Sequence, residues 1–344
     1  MTEFNERIAE IPTELEKQIQ EALKSLHVGL QDVGRISESI LRLSDFYIQE
    51  PTSPTPWKES WAQIAYLSYY LPLNFLRARA VVDEGQRLGF FNDLRNLIDF
   101  GSGLGSGSLS LTKIASHLYI ERSKVAQELH AKLLVDSGHH RAWQTEAPAQ
   151  LTGQTLSIFS YSLTELHKLP RWALESEALM IIEPATRDDG RKLLDLRSEL
   201  TNAGFHIWAP CTHQGNCPLL TQSKTDWCHD RIHFQQPAWF QKIEQHLPMK
   251  NSTLTTSYLL ARRKLPVSLI DSARTVGDQV KEKGKVRQLV CRGPEREFLT
   301  WMERDWGKSP PRVPRGIVMD LSTENPRAEK KANELRLKPL SSNG

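Results

Sequence analysis

"NLIDFGSGLGSGS", residues Asn96–Ser108, is the stretch on which the fold is read. Asn96–Phe100 is a short apolar run carrying Asp99 near its end, as a buried strand does before a functional turn. Gly101, Gly103 and Gly105 follow at once. Glycine has no Cβ and tolerates positive φ, so such a loop turns tightly and lets a ligand approach the backbone at the tip of a sheet. A flexible Gly/Ser linker is the plain alternative. The apolar run before the loop and the plausible helix after it argue against a linker. The dinucleotide pattern G-x-G-x-x-G is not met, because its last position is serine whether counted from Gly101 or from Gly103.

Working outward, His117–Glu121, Thr155–Leu163, Ala178–Pro184 and Phe205–Pro210 read as further strands. Ser108–Leu118, Arg122–Leu134 and Gly190–Gly204 read as the helices between strands, the last ending at a C-capping glycine. Strands alternating with helices imply an α/β fold with a Rossmann-like, doubly wound parallel sheet. The loop pattern, acidic-x-G-x-G-x-G from Asp99 to Gly105, resembles the first motif of Rossmann-like methyltransferases that use S-adenosylmethionine. The resemblance implies that Asp99, Gly101, Gly103 and Gly105 bind that cofactor. Glu121, at the end of the next strand, is placed to accept hydrogen bonds from both ribose hydroxyls.

No catalytic residue is assigned. Amino-methyltransferases of nucleic acids often carry Asp/Asn-Pro-Pro-Tyr/Phe after the fourth strand, and Phe159–Leu166, "FSYSLTEL", lacks it. Pro210-Cys211 is the pair in which C5-pyrimidine methyltransferases often hold their thiolate nucleophile. Here it follows the sixth strand, where that chemistry does not place it.

The 344 residues suit two domains better than one. Hydrophobic content of 39% and charged content of 25% are those of a soluble globular chain, and no run is long and apolar enough to span a membrane. Glu3, Glu6, Glu10 and Glu14 argue against a transit peptide, which is acid-poor, so a cytoplasmic location is expected. The net charge of +3 is unevenly spread. Lys250–Gly344 holds 20 Lys and Arg against 11 Asp and Glu, a basic third on an acidic body. That points to a polyanionic partner, with Arg262, Arg263, Lys264, Lys281, Lys283, Lys285 and Arg287 as candidate phosphate contacts.

The domain reading is a helical region over 1–85, a cofactor-binding domain over 86–210, a cysteine-bearing basic module over 211–324 and a disordered tail over 325–344. Leu15, Ile19, Ala22, Leu26 and Leu30 recur at helical spacing in the first of these, and "EPTSPTP" (Glu50–Pro56) breaks it. Thr255–Lys264 and Lys285–Gly293 read as strands of a late β region.

Only four cysteines occur, spaced C-x5-C-x10-C-x62-C: Cys211, Cys217, Cys228 and Cys291. Structural zinc sites pair their ligands closely, and no such knuckle exists here. Iron–sulfur clusters take four thiolates at irregular spacing. His213 and His229 stand near as substitute ligands. Separate buried cysteines are the alternative, yet three of the four lie in polar sequence rich in Gly and Pro.

"APCTHQGNCPL", "DWCHDRIHF" and the strand Tyr258–Arg263 resemble methyltransferase-like small-ribosomal-subunit assembly proteins, known from mitochondria and bacteria. The likeness runs from about Ala65 to Trp306, departing at Trp306-Gly307-Lys308, where the family carries an acid. It implies that the four cysteines ligate a [4Fe–4S] cluster, with zinc the alternative, in a metal-binding C-terminal module. It also implies action on the small ribosomal subunit or its rRNA as an S-adenosylmethionine-dependent methyltransferase; a monomer is expected. The rival is a non-catalytic, RNA-binding assembly factor with a vestigial pocket.

Overall fold

The computed structural model describes residues 6–134, 139–166, 168–267, 272–307, 310–321 and 327–339. The chain divides into two compact units. The first comprises Ile8–Glu183 and Ile232–Leu254, the second Met1–Arg7, Pro184–Arg231 and Thr255–Gly344.

In the first unit, five strands run parallel: Asn96–Phe100, Ser116–Ile120, His140–Gln144, Thr155–Ser160 and Ala178–Glu183. Asn96–Phe100 is flanked by Ser116–Ile120 on one side and by Thr155–Ser160 on the other. The strand order therefore reverses at the very strand that leads into the glycines, and a crevice opens at such a switch point, outside the carboxyl ends of the strands. The central strands are apolar on both faces, as Ile158 and Met180 on one and Phe159 and Ile181 on the other show, because the sheet is covered on both sides.

One expected crossover helix is absent. Ser108–Leu118 forms turns and then the strand Ser116–Ile120. The Ser108 and Leu109 amides both donate to the Gly105 carbonyl, and the Ser108 hydroxyl donates to Asp99. A serine whose side chain is engaged this way, among other serines and β-branched residues, favours turns over a helix. The helix Lys124–Leu133 does form, capped by the Ser123 hydroxyl accepting from the Ala126 amide at 3.3 Å.

The N-terminal helices Thr13–Lys24, Val33–Gln49, Ser60–Ala65 and Leu71–Leu88 share one core with Ala126, Leu129 and Leu133 of that crossover helix. Pro72 does not end its helix but widens it. Tyr66–Tyr70 is a π-turn immediately before Leu71–Leu88. A proline lacks the N–H that would close the preceding α-turn and its ring crowds that turn, so the ladder shifts register there.

In the second unit, the helix Arg187–Asn202 is capped by Thr186, and His206–Ala209 pairs antiparallel with the end of Thr253–Arg262. A six-stranded sheet runs Val318–Asp320, Ser272–Glu282, Lys285–Cys291, Glu297–Met302, Glu334–Lys338, Arg327–Lys331. The tail expected to be disordered from 325 thus supplies two strands. Leu335 and Leu337 are buried against Leu299 and Trp301, an alternation too short to stand out in a charged segment. Residues 340–344 lie outside the described residues.

The unit boundaries also differ from the expected ones. The N-terminal helices belong with the parallel strands, and Pro184–Arg231 belongs with the late β region.

Candidate functional site

The glycine loop is held by its own backbone. The Gly101 and Ser102 amides donate to the Ile120 carbonyl at 2.9 and 3.2 Å, tying the loop to the tip of the neighbouring strand. Gly101, Gly103 and Gly105 adopt φ of +65°, +50° and +76°. Their surroundings differ. A Cβ on Gly105 would lie 2.0 Å from His130 Nε2, so that glycine serves packing. A Cβ on Gly103 would meet the Trp57 ring at 3.4 Å and the Tyr66 hydroxyl at 3.8 Å, which is ordinary contact. Gly103 therefore faces an aromatic roof, Trp57 and Tyr66, whose rings lie 4.8 Å apart. The π-turn before Pro72 begins at Tyr66.

Two acids flank the loop. Asp99 is fully buried and accepts from the Ser108 hydroxyl at 2.5 Å. Burial lifts its carboxyl to about 7; the Ser108 hydrogen bond opposes the lift and the Glu121 charge adds to it. Glu121 accepts from the Gly103 amide at 3.0 Å and from the Ser123 amide at 2.7 Å, one on each oxygen. A carboxylate has about four lone-pair sites, so it retains capacity for further donors. Among the described residues the hydroxyls of Ser102, Ser160 and Ser162 are buried without a hydrogen-bond partner. Ser162 stands against Gly101 and Ser160 against Gly107. Trp57, Tyr66, Ser160 and Ser162 were not singled out from sequence. Their aromatic-rich helical stretch and the "SYS" after a strand carried no periodicity that pointed at the loop.

The folded pKa of Asp99 sits above its ordinary 3.8, which fixes the sign of its effect on stability. Below about pH 4 the group is protonated in both states and its burial costs little. Between about pH 4 and 7 the unfolded chain releases the proton and the folded chain keeps it. Stability then falls by about 1.4 kcal/mol per pH unit from this group and levels off above pH 7. Asp99→Asn is expected to gain on the wild type across that window. Urea unfolding of both proteins at several pH values checks it; a stability difference independent of pH would show that Asp99 is not buried as drawn.

In the second unit, Cys211, Cys217, Cys228 and Cys291 all line one small cavity of about 20 Å³. Leu193, Leu194, Leu219, Leu259 and Val276 make its apolar walls. Gly190, Leu193, Leu194 and Arg197 of one helix face it at spacings of three and four. Burial pushes the Cys217, Cys228 and Cys291 thiols up, and the neighbouring thiols add to the rise. Arg197 Nε donates to Cys211 Sγ at 3.1 Å, and His213 Nε2 lies 3.3 Å from Cys291 Sγ. Burial brings His213 down to about 4, so its ring is neutral. His229 does not line the cavity. Among the described residues no three His, Cys, Asp or Glu side chains converge to hold a single metal ion. The four cysteines are thus neighbours, but the metal-binding character expected of this module is not itself visible.

The basic residues of the late β region are mostly engaged within the chain. Arg262 is buried over the Trp208 ring, Lys285 pairs with Glu334 at 2.6 Å, and Arg287 pairs with Glu282 and lies over Phe298. Lys281 and Lys283, on a hairpin turning at Gly284, remain exposed. Counting charges in sequence cannot separate the two kinds, because pairing across strands depends on register.

The sequence profile of the mitochondrial small ribosomal subunit Rsm22 family matches residues 60–301, well over half of the chain. The chain belongs to that family. The match spans both the glycine loop and all four cysteines of this Rsm22-family protein. It corrects the expected cytoplasmic location, since the family is one of the mitochondrial ribosomal subunit. The acidic opening residues bear on a leader only, not on where the folded protein works. Among the described residues no helix is long and apolar enough to cross a membrane.

No curated protein matches the sequence significantly. Solved structures with distant likeness include a Pyrococcus horikoshii protein provisionally assigned as an RNA methyltransferase (13% identity, 54% of this chain and 82% of that one, TM-score 0.34). Another is magnesium protoporphyrin IX methyltransferase from Synechocystis (16% identity, 55% and 83%, TM-score 0.33). A third is the 16S rRNA methylase RmtB (12% identity, 74% and 100%, TM-score 0.29). Likenesses at this level carry no argument.

Proposed function

We propose that this Rsm22-family chain is a methyltransferase-like protein that binds S-adenosylmethionine at its glycine loop and acts on the small ribosomal subunit or its rRNA. The observation that carries this is the position of the loop. Three left-handed glycines sit at the switch point of a parallel sheet, with Asp99 before them and Glu121 at the adjacent strand tip. When bound, the cofactor supplies a methyl group on a sulfonium. The chain's part is to seat it: Glu121 offers spare acceptor capacity to ribose hydroxyls, and Ser102, Ser160 and Ser162 offer unpartnered hydroxyls beside the loop. Methyl transfer then draws on proximity, an aligned acceptor and methyl group, more than on a general base.

The same proposal includes a [4Fe–4S] cluster on Cys211, Cys217, Cys228 and Cys291. Four thiols around one apolar cavity with a buried cation are a donor set of the right softness. A cubane gives each thiolate its own iron, so its ligands stand apart. Zinc asks them to meet on one ion, which favours the cluster of the two.

A second reading, a non-catalytic assembly factor, is favoured by two observations. Phe159–Leu166 lacks the amino-methyltransferase motif, and the Gly103 amide is already occupied by Glu121 under the Trp57 ring. Calorimetric titration with S-adenosylmethionine separates the two. Wild type is expected to bind. Gly103→Ala, which adds one carbon at contact distance and costs the fold about 1–2 kcal/mol for its left-handed φ, is expected to bind at least about tenfold more weakly, ~1.4 kcal/mol. A wild type that shows no heat would leave the assembly-factor reading standing.

A further inference from the structure

Arg197 is 2% exposed, on the face of Arg187–Asn202 that otherwise presents Leu193 and Leu194 to the cysteine cavity. Its guanidinium makes three hydrogen bonds: Nε to Cys211 Sγ at 3.1 Å, and one terminal nitrogen to the carbonyls of His213 at 3.3 Å and Gly215 at 2.7 Å. Both carbonyls belong to the short segment that joins Cys211 to Cys217. Among the described residues no carboxylate pairs with it, unlike Arg274, another buried arginine, which is bound by Asp230. A buried, permanently charged guanidinium without an anion costs several kcal/mol. Beside those two carbonyls, the side-chain acceptor it meets among the described residues is a sulfur, Cys211 Sγ.

We propose that Arg197 is the resident countercharge of the cysteine cavity: it requires the four-cysteine group to be net anionic and positions Cys211 as a ligand through the Cys211–Cys217 segment. The proposal rests on the metal-thiolate reading above. Four thiolates around one Zn²⁺, or around a [4Fe–4S]²⁺ core, both leave two negative charges, which one guanidinium partly balances. Four neutral thiols leave none. A donor to a ligating sulfur also holds that ligand's orientation, and partners of this kind change metal affinity by about 10–100-fold when removed. For a cluster, a nearby positive charge and a hydrogen bond to sulfur stabilise the more reduced, more negative state and so raise the reduction potential.

The test uses the full-length chain, purified and reconstituted without oxygen, as wild type, Arg197→Gln and Arg197→Lys. Metal content is measured, retention is challenged with increasing chelator, and the midpoint potential is followed by redox titration of the visible absorbance and the EPR signal. Arg197→Gln is expected to release metal about 10–100-fold more readily than wild type. Arg197→Lys keeps the charge but loses the fork that spans Cys211, His213 and Gly215. It is expected to fold and load, with a midpoint potential below that of wild type. Should Arg197→Gln fail to fold, the lysine variant still decides. Metal retention equal to wild type in Arg197→Gln would overturn the countercharge, and retention and potential equal to wild type in Arg197→Lys would overturn the positioning of Cys211, each while leaving the metal reading intact. Wild-type protein that takes up neither iron nor zinc would overturn both.

Discussion

Gly105→Ala is expected to destabilise the protein by about 2–5 kcal/mol. The φ of +76° costs an alanine about 1–2 kcal/mol. Overpacking against the His130 ring, whose Nε2 would stand 2.0 Å from the new methyl carbon, costs about 1–3 kcal/mol more. His130 has nowhere to retreat. It is fully buried between Tyr119 and Trp143, both edge-on to it, and burial brings its imidazole down to about 3, so it stays neutral. Urea unfolding of Gly105→Ala, His130→Ala and the double variant measures the coupling. The double variant should be less destabilised than the sum of the singles, because removing the ring relieves the clash but not the φ. Strict additivity would mean that the ring and the loop are not in contact.

On the proposed metal-thiolate reading, Cys217→Ser is expected to lose the metal and lower the melting midpoint by roughly 10 °C or more. Metal binding free energy is folding free energy when the site is preformed only in the folded chain, and in a unit of this size each kcal/mol moves the midpoint by about 2–4 °C. Cys217 is buried in the small core that also holds Leu194, Leu219, Val276 and Cys291. Loss of the ligand there loosens the helix Arg187–Asn202 and the strand Lys285–Cys291 together. Iron and zinc analysis, visible absorbance and calorimetric melting check it on anaerobically purified protein. Metal-free Cys217→Ser that melts with metal-loaded wild type would remove any structural role for the group. In metal-free wild type the same substitution is a sulfur-to-oxygen swap in an apolar pocket and costs far less.

The two sites were legible in sequence to different depths. Gly101, Gly103 and Gly105 after an apolar strand announced a loop at the tip of a sheet, because only glycine occupies left-handed φ three times in five residues without strain. The sequence did not say which glycine serves the fold and which serves the ligand. Gly105 is explained by His130, 25 positions later, and Gly103 by Trp57 and Tyr66, more than 30 positions earlier. The helix expected at Ser108–Leu118 is absent for a related reason: its place between two strands suggests a helix, but the Ser108 hydroxyl is claimed by Asp99, nine residues upstream.

The sequence by itself determined that Cys211, Cys217 and Cys228 would lie close, since they stand within 18 residues in polar sequence that no core cysteine favours; that Cys291 joins them is decided by the fold. It determined the strand-helix alternation, because burial on both faces of a parallel sheet writes apolar runs that survive in one dimension. It also determined that the C-terminal third would be basic. Tertiary structure alone decided which of those basic residues are free. Arg262, Lys285 and Arg287 are drawn inward by Trp208, Glu334, Glu282 and Phe298, partners set by strand register rather than by neighbours in sequence. It alone folded Arg327–Lys338 into a sheet, through a parallel pairing with Glu297–Met302. And it alone placed Arg197, a residue that in sequence is one more charge on an amphipathic helix, against Cys211. A helix fixes which side chains share a face, but what that face meets is settled only when the chain closes on itself.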